Sequence, residues 1–193
     1  MSCSIDFTTL SDIAYSCNLD FTGGLKTIKL MEKVEWQQAI DADEIEVNST
    51  SGEYDFVSGV TALSAITGAD VITLGFNNKD GFSNFADVKT VNADGSSSAV
   101  PTVQVEFARM SSTLRNDLDT IATGGGEMVA VVETAAGTVH AIGTEFGMYA
   151  ASVDGATGAA RTDKNRYQLT LTGEENSLAY GVSSDLWSAI KAL

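Results

Sequence analysis

Short segments in which apolar and polar residues alternate recur along this 193-residue chain, most of them separated by glycine. A side-chain period of two marks a half-buried strand, and no helix can satisfy it. The cleanest instance lies within residues 162–175. There Tyr167, Leu169 and Leu171 alternate with Gln168, Thr170 and Thr172, and the run closes on Gly173. The same pattern predicts strands over 43–48, with Ile45 and Val47 opposed to Glu44, Glu46 and Asn48, and over 98–110. In the latter, Val103, Val105 and Phe107 oppose Thr102, Gln104, Glu106 and Ala108. Residues 25–37, 53–62, 71–76 and 145–152 read as further strands. Residues 128–133 and 138–143 read as a hairpin across Ala135-Ala136-Gly137. Residues 77–87 and 154–161 read as loops, and Asp94-Gly95 is a strong turn signal.

One segment breaks the period. In 112–123, Leu114, Leu118 and Ile121 fall at i, i+4 and i+7, a helical stripe of about three turns. Ser111 or Ser112 can cap its start, and Gly124-Gly125-Gly126 stops it, a glycine past the C-cap taking the left-handed conformation cheaply. Leu186, Ile190 and Leu193 favour a short helix over 183–193. Strand spacing of roughly 8–12 residues suggests a mainly β fold. The expectation is an antiparallel β-sandwich or barrel with one central flanking helix and a short C-terminal helix. The division is an N-terminal arm over 1–23, a body over 24–182 with an extended loop near 49–70, and a C-terminal tail over 183–193.

The equipment for catalysis is sparse. His140 is the sole histidine, and no G-x-S-x-G turn accompanies it, so Ser-His-Asp chemistry finds no base. The expectation is no enzyme, no cofactor and no bound metal. Carboxylates adjoin one another at Asp41, Asp43, Glu44 and Glu46, but the calcium-loop pattern is missing. Gly23-Gly24-Leu25-Lys26-Thr27 lacks the spacing of a phosphate-binding loop. Cys3 and Cys17 complete no zinc set and read as free thiols, with a disulfide in the arm as the alternative. No run of 18 apolar residues suggests a membrane span, and the first residues lack the basic start of a secretory leader. A cytoplasmic site of synthesis follows as the expectation.

Acidic residues number 26 against 11 Lys and Arg, a formal charge of −15. That balance argues against recognition of nucleic acid through phosphates and against anionic membranes. It provides solubility, or keeps a surface close to a polyanion without sticking to it. Arg161, Lys164 and Arg166 form the main cationic cluster, suited to an acidic surface on another copy of the chain.

Taken together, Gly23, Gly24 and Lys26 ahead of the first long strand, the helix 112–123 followed by a hairpin, Phe146-Gly147, and Asp163, Asn165, Tyr167 and Glu174 form a recognisable layout. It resembles that of the major tail or tail-tube proteins of tailed bacteriophages, in particular a divergent group from phages and prophages of Bacteroidetes-type bacteria. The resemblance spans about residues 20–180.

The resemblance implies a virion tail subunit, assembled in the host cytoplasm into stacked hexameric rings around a channel for DNA ejection. Its implied partners are further copies of itself and tape-measure, terminator and sheath proteins, with DNA passing through unbound. Other structural proteins of the particle (a head-tail connector, tail terminator or capsid decoration protein) and a β-sandwich binding module are the alternatives. An extended loop and the terminal arms would reach the neighbouring ring. Candidate inter-subunit residues are Phe7, Leu10, Ile13, Val57, Leu63, Leu186, Trp187 and Ile190, with Arg161, Lys164 and Arg166. Candidate channel-facing carboxylates are Glu44, Glu46 and Glu106, on the polar faces of the clean alternators. Six chains at −15 each would carry −90 per ring, so apolar stacking must offset like-charge repulsion.

Overall fold

The computed structural model describes residues 23–68, 70–76, 83–108, 110–157 and 165–193. In chain order its elements are β1 (Leu25–Glu32), α1 (Lys33–Asp41), β2 (Ile45–Val47), β3 (Glu53–Phe56), β4 (Val71–Leu74), β5 (Asn84–Val91) and β6 (Ser97–Ala108). There follow α2 (Ser112–Thr123), β7 (Met128–Thr134), β8 (Val139–Ile142), β9 (Met148–Ala156), β10 (Arg166–Gly173), β11 (Tyr180–Val182) and α3 (Ser184–Ala192). The fold is mainly β, as the alternation predicts.

All eleven strands belong to one sheet that does not close into a barrel. The sheet is mixed, because β11 and β3 run parallel while the other pairs are antiparallel. It branches at β7. One edge of β7 pairs with β1, which pairs in turn with β4. The other edge pairs with β8, leading through β11 and β3 to β2. At its start β7 also meets β9 through Met128↔Met148, and β9 leads through β10 and β6 to β5.

The corner between β8 and β9 depends on glycine. Gly143 sits at φ 80°, where a Cβ would lie 2.7 Å from the Met128 carbonyl oxygen. Gly147 sits at φ 85°, where a Cβ would lie 2.6 Å from that of Glu127. Only a residue without a side chain fits such a backbone at such a distance.

The branch leaves β1 and β7 covered on both faces. Ile28, Leu30, Ala130 and Val132 enter a cluster with Val103, Val105, Phe107, Leu118, Leu169 and Leu171. Met31, Val129 and Val131 point the other way, into a cluster with Trp36, Tyr54, Ile66, Leu186, Trp187 and Ile190. A strand buried on both faces reads as a continuous apolar run, which explains Met128-Val129-Ala130-Val131-Val132.

The helices depart from the sequence reading in one place. The strand predicted over 25–37 ends at Glu32, and α1 takes over. Its Trp36 and Ala39 are buried three residues apart, and Trp36 packs edge-on against Tyr54 at 5.1 Å. The period changes from two to 3.6 within one apolar stretch, and only the packing against β3 makes the change visible. Helix α2 occupies the predicted residues, with Ser111 Oγ accepting from the Leu114 amide at 3.2 Å. Gly124 stays right-handed at φ −62°, and Gly125 supplies the left-handed turn at φ 62°. Helix α3 is capped by Ser183, whose hydroxyl accepts from the Leu186 amide and donates to Asp55 on β3 at 2.6 Å.

Candidate functional site

The four strands β9-β10-β6-β5 expose the face that singles itself out. Alternation turns Val103, Val105, Phe107, Leu169 and Leu171 inward, each buried. Register then fixes the outward rows. Tyr149 lies opposite Thr172, Thr172 opposite Thr102, and Thr102 opposite Ala86. The next row pairs Val88 with Val100, and the one beyond it Thr90 with Ser98. None of these side chains carries a charge, whereas the rows at the other end of the same face hold exposed Asp154 and the Glu106–Arg166 pair. Tyr149 is 54% exposed, Val88 59% and Val100 40%. At the hairpin tip Val91 is 70% exposed on the opposite face.

The hairpin β5–β6 is built to stand firm. Gly95 takes φ 86°. The Asp94 carboxylate accepts from the Ser96 amide at 2.9 Å and hydroxyl at 2.6 Å, which holds its carboxyl below the ordinary range. Asn92 and Ser96 close the loop through a backbone bond of 2.8 Å. At its base, the Asp87 carboxylate accepts from the Ala179 amide at 2.6 Å. Sequence reading found the Asp94-Gly95 turn and strand β6 but assigned much of β5 to a connection. Asn84–Val91 mixes charge with apolar residues and lacks clean alternation.

Two of the three candidate channel carboxylates are buried. Glu106 is 1% exposed and accepts from the Arg166 guanidinium at 2.6 Å. Arg166 is thereby held within its own chain. Glu44 is 7% exposed and receives the amides of Ser64 at 3.0 Å and Ala65 at 3.1 Å, with the Ser64 hydroxyl. Burial alone would raise its carboxyl, but these donors hold it below the ordinary range. Glu46 remains exposed on β2.

The expected C-terminal apolar arm is packed into the core instead. Leu186, Trp187 and Ile190 are core residues of α3, exposed by 4% or less. The loop 49–70 folds back instead of extending. Ile66 is buried, Leu63 packs partly against the same cluster, and Val57 is half-buried with its amide bonded to the Glu44 carbonyl at 3.1 Å. Phe7, Leu10, Ile13, Arg161 and Lys164, with Cys3 and Cys17, lie outside the described residues.

His140 is half-buried on β8, its ring 5.7 Å from that of Phe85, and burial lowers its pKa. Among the described residues no group of three or more His, Cys, Asp or Glu could hold a metal ion. No helix among them is long and apolar enough to cross a membrane. The chain matches no known family model, and comparison with curated proteins and with solved structures also finds no match.

Proposed function

We propose that this chain is a structural subunit that tiles with its own copies into a hollow wall, in the manner of the tail-tube proteins it resembles. The observation that carries the reading is the apolar patch of Val88, Val100 and Tyr149 at one end of the open face of β9-β10-β6-β5, whose other end carries Asp154 and the Glu106–Arg166 pair. A chain of charge −15 repels its copies, so self-association favours a patch where apolar side chains outweigh carboxylates. Val88, Val100 and Tyr149 offer that surface on a rigid sheet, and burying them contributes about 25 cal/mol per Å² of apolar area. The projecting β5–β6 hairpin takes the bridging role that the sequence reading gave to the loop 49–70. The two layers that share the core of β1, β7, β6 and β10 fit the sandwich of such a subunit. In the assembly, Glu46, Asp41 and Asp43 are exposed carboxylates that would face the channel and keep DNA from sticking.

The experiment is electron microscopy of the purified chain at rising concentration, beside the double variant Val88→Asp/Val100→Asp. The expected result is open-ended cylinders from the parent chain, and monomers with an unchanged circular-dichroism spectrum from the variant. Single closed rings would identify a terminator or connector. Monomers of the parent under all conditions would overturn the reading and favour a binding module.

A further inference from the structure

Among the described residues three strands pair on one side only: β2, β4 and β5. Proteins usually guard such edges with charge, proline or a cover. Strand β2 carries Glu46, and β5 carries Asp87 and Lys89. Strand β4 is Val71-Ile72-Thr73-Leu74, with neither charge nor proline. It is the one of the three left chemically open.

A groove runs along that open edge, between β4 and α2. One part, of about 370 Å³, is lined by Leu30, Met31, Ile72, Ile121 and Met128 together with Glu32, Glu35 and Asp70. The next, of about 350 Å³, takes in Ile72, Leu74, Phe107, Leu114 and Leu118. Ile72 stands in both and is 52% exposed. A strand added to β4 would bond its free backbone groups and send every second side chain into this groove.

The chain contains a segment of that pattern outside the described residues. From Ile13 to Phe21 every odd position is apolar (Ile13, Tyr15, Cys17, Leu19, Phe21), and every even one is small or polar (Ala14, Ser16, Asn18, Asp20). Thr22-Gly23-Gly24 joins it to β1, the strand next to β4. The free edge of β4 lies two strand spacings from β1, about 10 Å. Three extended residues span about 10 Å. Gly24 takes φ 102° with open space around it, so the backbone has room to reverse there. A segment reversing at that point runs antiparallel to β1 and hence parallel to β4. A tether this short gives an effective concentration in the millimolar range, which favours the chain's own segment over a second copy.

We propose that a stretch within Ile13–Phe21 pairs with the free edge of the four-residue strand β4 in the same chain and lays its odd-numbered side chains over the β4–α2 groove. This leaves Phe7 and Leu10 outside the docked stretch. The inference holds whether or not the chain assembles.

Disulfide trapping in the full-length chain tests it. In a Cys3→Ser background, Ile72→Cys is combined with a single cysteine at each position from 13 to 21, Cys17 being kept or replaced by Ser accordingly. The dilute protein is oxidised mildly. The expected product is an intramolecular link to position 72 from the one or two odd positions nearest it in register, with their even neighbours at least about tenfold weaker. Val34→Cys, on the exposed face of α1, is the control site. Linked dimers as the main product would give the edge to a second copy and overturn the proposal. So would equal trapping at positions 34 and 72, no trapping, or trapping that ignores the odd–even pattern. As a second measurement, Leu19→Pro should speed hydrogen exchange by about tenfold at whichever of the Ile72 and Thr73 amides points away from β1. Unchanged exchange would also overturn the proposal.

Discussion

Glu145 and Glu175 each hold the other's backbone. The Glu175 carboxylate accepts from the amides of Glu145 at 3.0 Å and Phe146 at 3.3 Å. The Glu145 carboxylate accepts from the Asn176 amide at 2.8 Å and the Ser177 hydroxyl at 3.1 Å. Glu175 also bridges to Ala99 on β6 through backbone bonds of 2.7 and 2.8 Å. The double clasp fixes the corner between β8 and β9 against the stretch that follows β10, and so orients the open face of the four-stranded arm.

Burial raises the Glu175 carboxyl, and the neighbouring Glu145 charge adds to the rise; the two amides only partly offset it. The folded-state value lies above the unfolded one. This group's contribution is therefore present below the ordinary carboxylate range and lost as pH rises through its folded value. Glu175→Gln should gain on the parent in melting temperature as pH rises from about 4 to about 7. Glu175→Ala, which strands two amides, should cost about 2 kcal/mol. Melting curves across that range check both; a parent-to-Gln gap independent of pH would refute the assignment.

Glu44 behaves with the opposite sign. Its folded value lies below the unfolded one, so its contribution is present at neutral pH and lost as pH falls through the folded value. Glu44→Ala should destabilise the chain by about 2 kcal/mol, because charge-assisted bonds to the loop disappear. Hydrogen exchange should show the Ser64 and Ala65 amides released before the rest of the fold. Exchange unchanged at those two amides would count against the clasp.

Helix α3 is a core element, so its removal should not leave the body intact. Leu186→Ala should cost about 2–5 kcal/mol, the range for buried leucine truncation. A chain ending at Val182 should lose cooperative unfolding, as followed by circular dichroism in denaturant. A cooperative, parent-like transition from the truncated chain would contradict this placement.

Gly143 combines a left-handed backbone with a carbonyl oxygen at the position of a would-be Cβ. Gly143→Ala should destabilise by at least about 1–3 kcal/mol, the scale of local backbone strain. Gly95→Ala, also at positive φ but in open space, should cost less. Paired denaturation curves rank the two, and the reverse ranking would show that the β8–β9 corner relaxes.

If the chain assembles through the patch of Val88, Val100 and Tyr149, the opposing force is repulsion between acidic surfaces. Salt shortens the screening length from about 30 Å at 0.01 M to about 8 Å at 0.15 M. Light scattering should therefore show faster assembly at the higher salt. Slower assembly with added salt would mean that ion pairs, not apolar contacts, hold the copies together.

The existence of most strands, the bounds of α2, the β7–β8 hairpin and the Asp94-Gly95 turn were legible in the sequence, because each depends on neighbours within a few residues. A period of two separates two faces of a strand; it does not say which face is covered. Thus Glu44 and Glu106 alternate outward in the sequence, yet Ser64 and Ala65 cover one and Arg166 the other. Leu186, Trp187 and Ile190 read equally well as an exposed arm or a core helix until β3 and β7 stand beneath them. The branch at β7 decided these outcomes by bringing together strands far apart in the chain. Pairing of that kind depends on contacts that no local pattern encodes, so local rules determined the elements and tertiary packing alone decided which of their faces remain open.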